Sequence, residues 1–198
     1  TSVTLGKAIT QIGDGAFFNC VNITSVDLTN CDKIGIEAFS GCIKLATANK
    51  LSDVKEIGAY AFYNCNALSE LNLEEATLIG DYAFAINSGR ASYSSLNIPK
   101  VQKLGNMSFF GGGATTVEIP STLLSIGYGA FAASDNLTAF TMAEGGNDVY
   151  FVHDGVLYRN IENLLTDNDT YGLVAYPSAK PAQSYAVLDN TSRIEAFA

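Results

Sequence analysis

Hydrophobic and polar residues alternate in short segments that recur about every 22 residues along the chain. The segments read ITSVDL (23–28), LATANK (45–50), LSELNL (68–73), SSLNIP (94–99), TTVEIP (115–120) and LTAFTM (137–142). Apolar residues take every second place, which is typical of a strand that buries one face. LATANK is the weakest copy, because Ala48 takes an inward place and Leu51 is displaced by one residue. The pattern predicts a series of short, half-buried strands.

A six-residue phrase stands between these segments and repeats almost unchanged. Its copies, which define repeats 1 to 6, are IGDGAF (12–17), IGIEAF (34–39), IGAYAF (57–62), IGDYAF (79–84), LGNMSF (104–109) and IGYGAF (126–131). The final phenylalanines are spaced by 22, 23, 22, 25 and 22 residues. Such a period is typical of a leucine-rich repeat solenoid, in which small units stack to share one core.

Each position of the phrase has a predicted role. The first residue and the phenylalanine are expected to point inward. The glycine at the second position is expected where a Cβ would clash or where φ must be positive. The third and fourth positions vary, so we expect them to be free to differ between repeats. A further apolar site lies between strand and phrase, at Ile9, Cys31, Val54, Ala76, Val101 and Leu123.

The four cysteines follow the same repeat. Cys20, Cys42 and Cys65 each lie three residues after the phenylalanine, and Cys31 fills the apolar site. Stacking would bring the three aligned sulfurs near each other, which leaves a disulfide open. The pattern favours buried thiols that pack as small apolar side chains. A linear column does not offer the converging ligands of a metal centre, so no metal site is predicted.

The composite pattern I-G-x-x-A-F-x-x-C-x-x-L-x-x-L-x-L resembles the BspA-like leucine-rich repeat family, and residues 57–73 are a near-complete copy of it. The resemblance runs through most of residues 1–142. It implies a right-handed, α/β-type repeat solenoid, mostly β, with short turns or helical pieces on the convex side. It also implies an exported protein, extracellular or at the cell surface of a bacterium, with adhesion to a host or cell-surface protein or glycan as its function.

The C-terminal part carries a different signal. Residues 149–160, VYFVHDGVLYRN, read as two strands around an Asp154-Gly155 turn. Together with YGLVAYPSAK (171–180) they resemble a hairpin that members of the family insert between repeats. The expected organisation is a solenoid over 1–142, a hairpin insertion over 143–184 and the start of a further repeat over 185–198. Ile194 stands at the first position of that repeat, and we expect the sequence to be a fragment of a longer protein.

Charge and composition exclude several functions. The net charge is −9 and the pI is about 4.4, so the chain repels nucleic acid and anionic membrane surfaces. The sequence contains no run of about 18 apolar residues, so we do not expect this segment to insert into a membrane. The only histidine, His153, stands beside the predicted hairpin turn, and no catalytic motif accompanies it. We therefore predict a non-enzymatic protein with no catalytic residue and no cofactor.

Two surfaces are candidates for binding. The first is the outward face of the strands, a hydroxyl, amide and acidic surface that includes Asp27, Asn49, Glu70, Asn72, Asn97 and Glu118. The alternative is an aromatic strip next to the phrase, formed by Phe18, Tyr60, Tyr63 and Tyr82. If these rings are exposed, the strip suits a protein or glycan partner; if they are covered, they belong to the core. A contiguous exposed strip favours an interaction module, and a wholly polar surface favours a structural spacer without a ligand. The sequence leaves the oligomeric state open.

Overall fold

The structure is a computed structural model, and it describes residues 1–89, 91–161, 170–181 and 184–198. Part of the predicted hairpin insertion, 162–169 and 182–183, lies outside these ranges. The strands in chain order are β1 (Ser2–Thr4), β2 (Gln11–Ile12), β3 (Ser25–Asp27), β4 (Lys33–Ile34), β5 (Thr47–Asn49), β6 (Glu56–Ile57), β7 (Leu71–Asn72), β8 (Leu78–Ile79), β9 (Leu96–Asn97), β10 (Lys103–Leu104), β11 (Thr116–Ile119), β12 (Ser125–Ile126), β13 (Ala139–Met142), β14 (Tyr150–His153), β15 (Val156–Ile161), β16 (Thr170–Ala175) and β17 (Thr191–Ile194). They form a mostly β solenoid of about 8 turns, which confirms the predicted fold class.

All six alternating segments contain a strand, as predicted. These strands pair in parallel with their neighbours in three short sheets, ordered β1-β3-β5, β7-β9 and β11-β13. The weak copy at 45–50 still forms β5, in register with β3. The displaced Leu51 begins a 3₁₀ helix, Leu51–Asp53, and its side chain is only 4% exposed. We call the outward side of these three sheets the strand face.

The start of each phrase belongs to a second ladder of strands, which the sequence did not predict. Each of these strands consists of the first residue of a phrase and the residue before it. Six two-residue strands, β2, β4, β6, β8, β10 and β12, form one continuous parallel sheet. The first residue of each phrase pairs with its equivalent in the next repeat, for example Ile34 with Ile57. Two residues are too few to show a period of two, so nothing in the sequence marks them as strands.

The rest of each phrase forms turns, and these make up what we call the turn side of the solenoid. In repeat 3 the N–H groups of Tyr60, Phe62 and Asn64 donate to carbonyls of repeat 4 at 2.7–2.9 Å, and the same bonds recur in the neighbouring repeats. The helical pieces expected on this side are absent from the described residues, whose only helix is Leu51–Asp53. Backbone bonds between repeats satisfy the turns, so no helix is needed there.

The second position of the phrase is glycine because the repeats approach closely there. A Cβ on Gly80 would lie 2.5 Å from the Ala59 amide nitrogen and 2.7 Å from the Gly58 carbonyl carbon. The alternative reason, a positive φ, is wrong for this position. Positive φ occurs two residues later, at the fourth position, with values of 52–62° at Gly15, Glu37, Tyr60, Tyr82, Met107 and Gly129.

The third and fourth positions are therefore not free, which corrects the expectation from the sequence. The fourth must adopt the left-handed conformation that most side chains disfavour. At the third, side-chain oxygens of Asp14, Asp81 and Asn106 accept the N–H of the same position in the next repeat at 2.7, 2.8 and 3.1 Å. The fourth position thus keeps a structural task in all six repeats, and the third position does so in repeats 1, 4 and 5.

The core is one continuous cluster along the solenoid, and a phenylalanine column forms its centre. The ring centroids of successive members lie 5.1–5.7 Å apart with interplanar angles of 10° or less. The members of the phenylalanine column are Phe17, Phe39, Phe62, Phe84, Phe109 and Phe131. This confirms the predicted inward direction of the phrase's last residue. The apolar site between strand and phrase is also buried, except at Ile9 in the first repeat.

The cysteines are free thiols, as the pattern favoured. Cys42 and Cys65 are buried, and their sulfurs lie 3.1 Å from the carbonyl oxygens of Phe17 and Phe39, to which the thiols donate. Each thiol thus bonds to the preceding repeat rather than to another sulfur.

The C-terminal part forms a separate four-stranded sheet, ordered β14-β15-β16-β17. The predicted hairpin is present: β14 and β15 are antiparallel, and Asp154 and Gly155 between them both have positive φ. β17 pairs in parallel with β16 and places Ile194 opposite Leu173. Ile194 is 65% exposed, so it does not point inward as expected for the first position of a phrase, and β17 is the edge strand of its sheet.

Candidate functional site

The groups that could carry reaction chemistry are dispersed or inert. His153 is exposed at the end of β14. Burial raises the pKa of Cys42 to about 11 and also raises the pKa of Cys65, so both thiols stay protonated at neutral pH and are poor nucleophiles. Within the described ranges, no three His, Cys, Asp or Glu side chains converge as metal ligands would. No helix in that part of the chain is long and apolar enough to cross a bilayer.

The strand face keeps most of its predicted residues in solvent. Asn49, Glu70, Asn72, Asn97 and Glu118 are exposed, and Asp27 is half-buried. Several of these side chains bond within the face. The Asn97 amide nitrogen donates to the Asn72 amide oxygen at 2.8 Å.

Asp27 is also bonded within its own turn. Its carboxylate accepts the hydroxyl and the N–H of Thr29 at 2.7 and 3.1 Å, and these bonds lower the pKa of Asp27. Three of the six predicted residues of the strand face, Asp27, Asn72 and Asn97, thus already form hydrogen bonds within the protein.

A cleft opens in the strand face where β5 and β7 do not pair. The reason is local: Lys50 adopts a φ of 65°, and the 3₁₀ helix that follows leads the chain away from the sheet. The cleft has a volume of about 310 Å³ and brings together three predicted residues, Asn49, Glu70 and Asn72. Asp27, Asn97 and Glu118 lie outside it. Its lining has no aromatic residue and consists of Ala46, Thr47, Ala48, Asn49, Lys50, Leu51, Ser52, Ser69, Glu70 and Asn72.

Three of the four predicted aromatic residues meet on the turn side. The Tyr60 and Tyr82 rings stack with centroids 4.8 Å apart and planes 6° apart. The Tyr63 ring meets Tyr60 edge-on at 5.5 Å. All three side chains are half-buried, so they are neither core nor fully solvated. We call these three residues the tyrosine cluster.

Phe18 does not belong to this cluster. It is 49% exposed, and none of the ring contacts among the described residues includes it. Phe18 shares a register with Tyr63, but Ser40 occupies that register in the intervening repeat. The predicted strip is therefore interrupted, and its contiguous part lies in repeats 3 and 4.

A groove of about 270 Å³ extends the tyrosine cluster toward repeat 5. It exists because Ala85 stands between Tyr63 and Phe110 in one register, so a small side chain separates two large ones. We call this the turn-side groove; its lining residues are Tyr63, Tyr82, Ala85, Asn87, Met107 and Phe110. The sequence pattern did not indicate Met107 or Ala85 as site residues. The only available signal was the small residue between two aromatic ones in a single register.

The surroundings of the cluster are acidic. Burial, the neighbouring tyrosines and then the carboxylates of Asp81 and Glu37 raise the pKa of Tyr60. Asp81 is held in place, since it accepts both the backbone and the side-chain N–H of Asn106 at 2.8 and 3.2 Å. From the start of each phrase to three residues beyond its phenylalanine, none of the six repeats contains a lysine or arginine. The arrangement offers aromatic faces and negative charge, which suits binding rather than catalysis.

Two solved structures resemble the whole described fold. A leucine rich cell surface protein from Faecalibacterium prausnitzii A2-165 is 27% identical with a TM-score of 0.67; the match covers 98% of this chain and 59% of that one. A leucine-rich repeat protein from Eubacterium ventriosum ATCC 27560 is 22% identical with a TM-score of 0.64, over 99% of this chain and 44% of that one. The chain thus spans about half the length of these two proteins.

The repeats themselves identify the family. No protein of curated function matches the sequence. The family described as the BspA type leucine rich repeat region matches residues 1–90 and 78–151 in six copies. These matches span most of the chain and coincide with the phrases that build the second ladder and the phenylalanine column. The chain therefore belongs to the BspA-type leucine-rich repeat family.

Proposed function

We propose that the chain is an exported, adhesin-like interaction module, without enzymatic activity, that contacts a protein partner through the tyrosine cluster and the turn-side groove. The family to which it belongs implies a protein-interaction role. Presentation outside the cell is supported by the likeness to a protein described as a cell surface protein.

The observation that carries this proposal is the half-exposed, ordered aromatic cluster beside a groove. Tyrosine is a frequent hot-spot residue, because its ring offers a large contact area and its hydroxyl a hydrogen bond. Stacking fixes the orientation of Tyr60 and Tyr82 before any partner arrives, which reduces the entropy lost on binding. The turn-side groove beside them is large enough for one side chain of a partner.

Backbone strain supports the same conclusion. Glu37, Tyr60, Tyr82 and Met107 adopt positive φ at a position where repeats 1 and 6 carry glycine. A left-handed conformation costs a non-glycine residue roughly 1–2 kcal/mol. Strain of this kind concentrates at functional sites. Glu37, Tyr60 and Tyr82 keep exposed or half-buried side chains at this position, and a contact that glycine could not make would account for them.

The strand face supports a contact less well. It has no aromatic side chain among its predicted residues, and Asn72, Asn97 and Asp27 already bond within the face. Such a surface needs only to remain solvated, as the surface of a spacer does. We therefore place the contact on the turn side.

The test is a binding screen of the purified chain on immobilised extracellular-matrix proteins and glycans. We expect binding to at least one protein, and a loss of ten-fold or more in the double variant Tyr60→Ser/Tyr82→Ser, since hot-spot truncations cost about 2 kcal/mol or more. The control variant Asn49→Ala/Glu70→Ala alters the strand-face cleft and should bind as the wild type does.

The screen also separates the alternatives. No binding across the panel would favour the structural spacer. Loss of binding in the strand-face variant alone would move the contact surface to the cleft.

A further inference from the structure

Tyr60 is the member of the stacked pair that lies next to repeat 2. At the fourth position of the phrase, successive repeats carry Glu37, Tyr60, Tyr82 and Met107. Backbones of adjacent repeats lie about 4.8 Å apart, as in any parallel ladder. Tyr82 stacks on one side of Tyr60, and the residue in register on the other side is Glu37.

The carboxylate of Glu37 is available to a partner. Glu37 is exposed, and it forms no ion pair with any residue that the structure describes. Some carboxylates on other surfaces of the solenoid are paired between repeats, for example Glu56 with Lys33 at 2.8 Å and Asp32 with Lys55 at 3.1 Å. The repeats thus place lysines opposite carboxylates on other surfaces and omit them beside the tyrosine cluster.

We infer that the exposed carboxylate of Glu37 and the adjacent Tyr60 ring together bind a cationic side chain, a guanidinium or an ammonium group, from a basic segment of a protein partner. This inference rests on the proposed function and names the chemistry of its partner. A guanidinium can stack on an aromatic face and donate two hydrogen bonds to a carboxylate. Asp81 adds a second negative charge close to Tyr60. The net charge of −9 attracts a basic segment at longer range.

The turn-side groove lies at the other end of the tyrosine cluster and complements the cationic site. Met107 and Phe110 give it an apolar lining, and no charged side chain belongs to that lining. A partner segment with a basic residue followed by an apolar residue would fill both places.

The test uses two acetylated, amidated hexapeptides titrated against the chain. One alternates Arg and Leu, and the other replaces each Arg with citrulline, which keeps the shape but removes the charge. Ring-labelled tyrosine NMR reports binding at the cluster directly. We expect the Arg peptide to shift the Tyr60 and Tyr82 signals and to bind about two- to five-fold more tightly than the citrulline peptide.

Charge variants locate the effect. Glu37→Gln should remove most of the preference for the Arg peptide. Glu74→Gln removes the same charge from an exposed glutamate that follows β7, away from the phrases, and should retain the preference. Tyr60→Phe keeps the ring face and should also retain it.

Three results would overturn the inference: equal affinity for the two peptides, no ring shift with the Arg peptide at millimolar concentration, or an equal loss of preference in Glu37→Gln and Glu74→Gln. None of these would by itself overturn the proposed function. That proposal fails separately, if Tyr60→Ser/Tyr82→Ser binds the matrix panel as tightly as the wild type.

Discussion

The phenylalanine column and the tyrosine cluster are both stacked sets of aromatic side chains, but they differ in burial and in the number of repeats they cover. The phenylalanine column lies inside, continues through all six repeats and keeps parallel rings 5.1–5.7 Å apart. The tyrosine cluster lies outside, is confined to repeats 3 and 4, and is half-buried. Both arise from the same ladder geometry, which places equivalent side chains of adjacent repeats in contact.

In a repeat protein, the number of repeats that share a residue type indicates the role of that residue. A residue type that recurs in every repeat, such as the phenylalanine, meets a demand that every repeat makes. A residue type that occurs in two adjacent repeats, such as Tyr60 and Tyr82, meets no such general demand. This difference is what the proposed contact through the tyrosine cluster would explain, and the following variants test it.

The largest effect is expected inside the phenylalanine column. Phe62→Ala should lower the free energy of unfolding by about 3–5 kcal/mol, because it leaves a cavity between two stacked neighbours. Chemical denaturation measures the change. The control Phe18→Ala removes an exposed ring and should alter stability by about 0.5 kcal/mol or less. A near-neutral Phe62→Ala would mean that the column does not hold the repeats together.

The next effect concerns the spacing of the repeats. Gly80→Ala should destabilise the chain by about 1–3 kcal/mol, since its Cβ would contact the backbone of repeat 3 at 2.5 Å. Gly13→Ala is a matched control at the same position of the phrase, where no atom lies within 4 Å of the new Cβ. Equal thermal midpoints for the two variants would contradict the close approach.

A smaller effect of opposite sign is expected at the fourth position. Glu37→Gly should raise the free energy of unfolding by up to about 1 kcal/mol, because glycine adopts a φ of 55° without the strain that a side chain incurs. Glu37→Gln keeps the strain and should be neutral in the same denaturant titration. If Glu37→Gly were destabilising, the glutamate would be a structural residue rather than one retained for a contact.

The smallest effect is expected on the strand face. Asn97→Ala removes one exposed amide hydrogen bond to Asn72 and should cost roughly 0.5 kcal/mol. Differential scanning calorimetry should detect only a slight fall in the thermal midpoint. A loss as large as that of Gly80→Ala would show that the amide pair, and not the core, aligns these repeats.

Much of the fold could be predicted from the sequence because the same pattern of residues recurs in six repeats. The period of the phenylalanines predicts the stacking, and the alternating segments predict the strands of the strand face, even the weak β5. The Asp154-Gly155 turn predicts the hairpin β14–β15. In each case the pattern spans enough residues, or recurs often enough, to be distinguished from chance.

Other features could not be predicted, for physical reasons. The strands of the second ladder have two residues each and show no period. The left-handed fourth position is marked by glycine only in repeats 1 and 6, whereas Glu37, Tyr60, Tyr82 and Met107 conceal it. The cleft depends on a missing pairing between β5 and β7. The weak pattern at 45–50 and the displaced Leu51 mark the place in the sequence, but they do not indicate a cleft.

The candidate site was predicted only in part. Register alone placed Tyr60 beside Tyr82. The predicted strip also included Phe18, although Ser40 occupies the same register in the intervening repeat. The turn-side groove arises from Ala85, a residue that attracts no notice in the sequence. A groove that forms because one side chain is small can be recognised only when the positions of its larger neighbours are known.

The most direct test of this account compares two residues of one repeat, Tyr82 of the tyrosine cluster and Phe84 of the phenylalanine column. Equilibrium denaturation of Tyr82→Ala and Phe84→Ala gives the two losses of unfolding free energy. We predict about 3–5 kcal/mol for Phe84→Ala, whose ring is buried, and about 0.5–1.5 kcal/mol for Tyr82→Ala, which loses one stacked neighbour. Equal losses would show that the tyrosines are core residues, and would contradict the proposal that the tyrosine cluster binds a partner.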